Sequence, residues 1–105
     1  MIVQFADDIK ADRIETLDVR QKTSLADFFI VCTGTSDTHA NSILERVVEK
    51  MKEKGYRPSR KEVGNGGWIL VDFGDVILHV MKEEQRQFYD LETLWTAMQS
   101  DPNLL

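Results

Sequence analysis

The groups in this chain that could do chemistry are few and scattered. Thr33-Gly-Thr-Ser36 sits between an apolar run and a long helical stripe. A loop at a strand-to-helix junction can hold an anion on its backbone amides. The same residues serve equally as a tight turn and an N-cap, with Ser36 or Thr35 capping and Asp37 complementing the helix dipole. His39 and His79 are the only histidines, and there is no Cys-x-x-Cys or His-Glu-x-x-His spacing. No dedicated zinc site is therefore expected. His79 has no Ser or Cys nucleophile beside it, and reads as a hydrogen-bonded surface residue or an interface residue. His39, in a first helical turn, reads as solvated. Cys32 is the single cysteine, set in Phe28-Phe-Ile-Val-Cys32. It cannot form an internal disulfide and reads as a small buried hydrophobe.

The Gly34-to-Ser36 segment is similar to the Gly-Ser start of the helix in nucleotidyltransferases. Such enzymes hold magnesium on a nearby pair of carboxylates, usually Asp-x-Asp on one strand. Here Asp72 and Asp75 are three apart across a turn, and no phosphate-loop Gly-Lys-Ser/Thr is present. The N-cap and turn are the preferred reading of the loop. No catalytic residue, metal or cofactor is expected.

A different kind of candidate lies in Trp68 to Met81. Two apolar strands flank Gly74-Asp75, and a leading Gly favours a tight hairpin turn. If Phe73 pairs with Val76, then Val71 lies opposite Leu78 and Ile69 opposite Val80. That face is wholly apolar, as a core face should be. The other face presents Trp68, Leu70, Asp72, Ile77, His79 and Met81. It mixes large apolar groups with one acid and one imidazole. Trp68 could cover a second small core under the loop 55–67, but a partner-binding anchor is the favoured reading, because Trp is enriched at interface centres. Met81 is adaptable in such a patch, and Asp72 could bind a partner's Lys or Arg. Glu84 and Arg86 could rim the patch, and Tyr89 either joins it or closes the core.

The elements that must carry these residues follow from periodicity. Met1 to Ala11 predicts a short helix with Ile2, Phe5, Ala6 and Ile9 on one face. Ile14 to Val19 and Phe28 to Thr33 read as strands. Ala40, Ile43, Leu44, Val47, Val48 and Met51 form the stripe of a long helix, which Gly55 stops. An edge strand is expected near Lys61 to Val63. Phe88, Leu91, Leu94 and Trp95 recur at helical spacing after the hairpin, and residues 96–105 are expected to form a flexible tail. The fold class is α/β (α+β-like), a mixed sheet with helices mainly on one face. One-sided cover leaves the Trp68 face open.

With 105 residues, one domain spanning 1–105 is expected, large enough to bury about two thirds of its unfolded surface. No apolar stretch approaches the roughly 20 residues that span a membrane, and no signal pattern opens the chain; a cytoplasmic protein is the expectation. The net charge of −5 argues against nucleic acid as the primary contact and favours a basic protein partner.

Taken in order, several segments identify a family. They are Leu17-Asp-Val19, Asp27-Phe-Phe-Ile-Val, Thr33-Gly-Thr-Ser36, Trp68-Ile-Leu-Val-Asp72, Gly74 to Met81, Glu84-x-Arg86 and Tyr89-x-Leu-Glu-x-Leu-Trp95. Together they resemble the ribosomal silencing factor, or Iojap-like, family over about Ile2 to Trp95. The resemblance implies a nucleotidyltransferase-like fold without the catalytic carboxylates. It implies a translation repressor that binds ribosomal protein fourteen of the large subunit and blocks joining of the small subunit when nutrients are short. It also implies that a homodimer can form, and organellar relatives act in ribosome assembly. By position, the family's sheet-surface Trp falls on Trp68 and its neighbouring contacts on Leu70, Asp72, His79 and Met81.

Overall fold

Strands β2 (Phe28–Thr33) and β5 (Val76–Met81) lie parallel and side by side at the centre of a five-stranded sheet. In both strands every residue after the first is buried. Parallel pairs are covered on both faces and so read as nearly continuous apolar runs rather than alternations. Phe29 to Cys32 and Ile77 to Met81, interrupted only by His79, fit that rule. This is a computed structural model, describing residues 1–21, 24, 26–63 and 68–88.

The remaining strands are antiparallel. Strand β1 (Asp12–Asp18) pairs with β2, and β4 (Ile69–Asp72) with β5, while β3 (Arg60–Val63) closes the far edge against β4. The sheet order is β1-β2-β5-β4-β3. The hairpin register is as expected: Ile69 opposite Val80 and Val71 opposite Leu78. Phe73 N–H donates to the Val76 carbonyl at 2.9 Å across the Gly74-Asp75 turn. Gly74 has φ +97°, a conformation open to Gly without steric cost.

Two helices cover one face. Helix α1 (Ile2–Asp8) buries Ile2, Phe5 and Ala6. Helix α2 (Asp37–Glu53) buries Ala40, Ile43, Val47, Val48 and Met51. They pack on Ile30, Cys32, Ile69, Val71, Leu78 and Val80 of the sheet. Both helices end in Schellman hydrogen bonds. In α1 the left-handed residue is Lys10 (φ 59°), with Ala11 N–H donating to Ala6. In α2 it is Gly55 (φ 91°), with Tyr56 N–H donating to Met51. A short helix α3 (Glu83–Phe88) follows β5. The helical spacing read through Leu91 to Trp95 and the tail 96–105 lie outside the described residues. Among the described residues no helix is long and apolar enough to cross a membrane.

The expectation of an open Trp68 face is corrected. Trp68, Leu70, Ile77 and Met81 belong to a second core with Val19, Ala26, Phe29 and Val31. Trp68 is 3% exposed, and Leu70, His79 and Met81 are 0% exposed. Strand alternation tells which residues share a face, but it does not tell whether that face meets water. The nearly continuous apolar runs of β2 and β5 carried that information, because strands buried on both sides read that way.

Candidate functional site

The hairpin builds the candidate site in pairs: Leu70 opposite His79 and Asp72 opposite Ile77. Trp68 stands just before β4, and its indole Nε1–H donates to His79 Nδ1 at 3.0 Å. That bond makes Nδ1 the acceptor, so the neutral ring carries its proton on Nε2. The imidazole lies 4.8 Å from the Phe29 ring centroid and 5.7 Å from that of Trp68. Its Nε2 is buried without a hydrogen-bond partner. Burial pushes the His79 pKa down to about 3, since a charged imidazole would lose its hydration there. His79 is therefore a neutral core residue rather than the surface or interface residue expected.

The other members of the expected docking set are divided. Asp72 is half-buried, and its carboxylate Oδ1 accepts the Gly74 N–H at 2.7 Å, bracing the hairpin turn. Its main-chain carbonyl accepts from Ser59 N–H and Oγ. Glu84 is exposed on α3. Arg86, expected at the rim, is instead buried. Its Nη1 donates to the Arg13 carbonyl at 2.8 Å and to Thr33 Oγ1 at 3.1 Å, and its Nη2 lies 3.3 Å from Glu15 Oε1. Arg13 occupies a bulge of β1 with φ 49°, which interrupts the strand register and leaves its carbonyl to accept from the guanidinium. These partners lie far apart in sequence, so no local pattern could have pointed to them. Tyr89 lies outside the described residues.

The Thr33–Ser36 loop is occupied by its own side chains. Ser36 Oγ accepts from His39 N–H at 3.0 Å, and Thr35 N–H donates to His39 Nδ1 at 2.9 Å. His39 Nε2 reaches the Ile9 carbonyl at 2.7 Å, tying α1 to the start of α2; the residue expected to be solvated is a cross-link. Asp37 already pairs with Lys82 at 3.2 Å. Gly34 is needed for packing: a Cβ there would meet the Ala40 Cα at 2.8 Å. Every one of these features favours the N-cap and turn over a phosphate site. Among the described residues no group of three potential metal ligands gathers. Cys32 is buried, which raises its pKa to about 12.

The family model described as "Ribosomal silencing factor during starvation" matches residues 1–104. This chain belongs to the ribosomal silencing factor family. It is 35% identical to ribosomal silencing factor RsfS of Haemophilus influenzae, over 90% of this chain and 93% of that protein. It is 36% identical to RsfS of Bacillus subtilis, over 85% of this chain and 76% of that protein. A crystal structure of a Chromobacterium violaceum protein superposes with a TM-score of 0.81 at 38% identity, covering 90% of this chain and 80% of that one. The mouse protein named "Mitochondrial assembly of ribosomal large subunit protein 1" is 32% identical over 99% of this chain, which spans 47% of it. Membership gives the chain a ribosome-associated role in silencing translation.

Proposed function

We propose that this protein represses translation by binding the large ribosomal subunit through its ribosomal protein fourteen and standing in the way of the small subunit, above all in starvation. Family membership carries this reading. Two physical features support it. The net charge of −5 suits a basic ribosomal protein. A body of 31 × 29 × 22 Å needs only affinity and bulk to obstruct a joining surface. No catalytic group enters the mechanism, and the place of action in this reading is the cytoplasm.

The docking surface in this proposal is the hairpin face bearing Trp68, Leu70, Asp72, Ile77, His79 and Met81. Its apolar members are out of water in the free chain. Docking through them thus requires the partner to replace what covers the second core, while Asp72 and Glu84 already meet water. Trp68 is hidden within a single chain, so a second copy is not needed to shield it. Any homodimer therefore has to be tested on its own, by sedimentation across concentration. Removing Trp68 would unfold as well as unbind, because deleting a buried Trp costs about 3–5 kcal/mol. The cleaner test is Asp72→Asn with Glu84→Lys: Asn keeps an acceptor for Gly74 N–H while the charge is lost. Wild-type protein should co-sediment with purified large subunits and suppress their joining to small subunits. The double variant should fold normally and bind more weakly. Wild-type protein that fails to co-sediment at micromolar concentration would sink the reading.

The name of the mouse relative favours a second reading, a large-subunit assembly factor. Gradient profiles of cells lacking the protein discriminate: immature large subunits mark assembly, whereas excess joined ribosomes in starvation mark silencing.

A further inference from the structure

An exposed apolar site lies on the helix-covered side of the sheet, opposite the buried Trp68 face. A groove of about 390 Å³ runs between α1, the end of α2 and the β4–β5 turn. Val3, Phe28, Met51, Tyr56 and Phe73 line it, and Asp75, an exposed residue of the hairpin turn, belongs to its wall. Among the described residues four large hydrophobics are exposed: Met1, Val3, Tyr56 and Val63. Three of them, Met1, Val3 and Tyr56, line this one groove. Isolated surface hydrophobics are ordinary; their convergence on one concavity is the mark of a contact site.

The groove's walls are held in place. The Asp75 carbonyl accepts N–H groups from Asp27 at 2.8 Å and Phe28 at 3.1 Å, fixing the turn against the start of β2. Tyr56 N–H donates to the Met51 carbonyl at 2.8 Å, fixing the tyrosine at the end of α2. Local charge selects the occupant. Asp18, Asp27 and Asp75 gather where β1, β2 and the hairpin turn meet, where Arg20 supplies a guanidinium among the described residues. That guanidinium is held by Asp18 at 2.6 Å and lies 5.4 Å from the Phe28 ring centroid. Asp75 has no ion pair among the described residues.

We propose that this groove binds a basic peptide segment of a protein partner, seating an apolar side chain between Val3, Tyr56 and Phe73 and placing a neighbouring Lys or Arg on Asp75. The volume admits one or two large side chains, less than a globular surface presents and about what a short segment presents. The acidic turn and the net charge of −5 favour a basic segment over an acidic one. This surface is separate from the Trp68 face, so it neither requires nor tests the docking mode proposed above.

The probe is a fluorescein-labelled dodecapeptide of alternating Lys and Leu, titrated by anisotropy at about 50 mM salt. Companion peptides replace Lys by Glu, or Leu by Ser. Saturable binding of the Lys/Leu peptide should weaken about tenfold in Val3→Glu and in Tyr56→Ser, and about threefold in Asp75→Asn. Circular dichroism checks that these exposed-site variants stay folded. Lys61→Glu, remote from the groove, should bind within twofold of wild type. Equal binding of the Glu/Leu peptide, absence of saturation, or wild-type affinity in Val3→Glu and Tyr56→Ser overturns the proposal. So does a wild-type dimer that Val3→Glu dissociates, since the occupant would then be a second copy. Large-subunit co-sedimentation of the same variants is read separately: if no form co-sediments, the ribosomal reading fails while the peptide titration still decides the groove.

Discussion

Moving the pH from 7 to 5 should destabilise this protein through His79. The folded imidazole has a pKa near 3 because it is wholly buried, whereas the same group in the unfolded chain titrates near 6.5. A depressed folded value means that the unfolded state binds the proton first. The contribution of His79 is therefore complete above about pH 6.5 and declines as pH falls toward 3. Each pH unit fully below the unfolded value costs about 1.4 kcal/mol. Between pH 7 and 5 the unfolded histidine goes from mostly neutral to almost wholly charged, so about 2 kcal/mol is lost. The window lies well above the folded value, so titration of the unfolded chain sets this figure. Urea denaturation at each pH, in wild type and His79→Gln, measures it. Gln keeps an acceptor within reach of the Trp68 indole but does not titrate, and His39 and the carboxylates cancel in the difference. With a urea dependence of about 1–2 kcal/mol per molar for a chain this size, the wild-type midpoint should fall by about 1–2 M more than that of the variant. Parallel losses in the two proteins would refute the argument and place His79 in contact with water.

Three further outcomes follow from the packing. Arg86→Leu removes the donor shared by the Arg13 carbonyl and the buried Thr33 Oγ1, leaving the exposed Glu15 to water, which should cost about 2–4 kcal/mol by chemical denaturation. Lys, with a single point charge and no fork, should restore less than half of it. Gly34→Ala drives a Cβ to 2.8 Å from the Ala40 Cα and 2.9 Å from its nitrogen; the helix start must shift, and a thermal melt should show a loss of about 1–3 kcal/mol. Cys32, buried and with its pKa raised to about 12, should resist a thiol reagent in the native protein at pH 8 and react fully in urea, because the thiolate is the reacting species.

The elements were largely legible because each had a local cause. The hairpin register followed from a two-residue turn and period-two alternation, which leave one way to bury Ile69, Val71, Leu78 and Val80 together. Helix α2 followed from a stripe with Ser36 before it and Gly55 after it. The candidate site was legible only as a set of residues sharing a face. Its burial was not legible, because by residue type a face bearing Trp, His and Asp reads as exposed. In the structure the Trp68 indole supplies the hydrogen bond that lets His79 sit in a core, and Asp72 turns its carboxylate to the Gly74 amide. Arg86 is buried for a different reason. A charged run ordinarily means a solvated face, yet three polar partners from β1 and β2 make its burial tolerable.

The sequence by itself determined the hairpin, the capped long helix, the acidic charge and, through motifs spread along the chain, the family. Those are properties of residue types and spacing, and they hold whatever surrounds them. Only the tertiary structure decided that the Trp68 face is a second core, that Arg86 is a clamp and His39 a cross-link, and that Val3, Tyr56 and Asp75 share one groove. Burial and partnership depend on residues distant in the chain, and a local pattern names a face without naming what covers it.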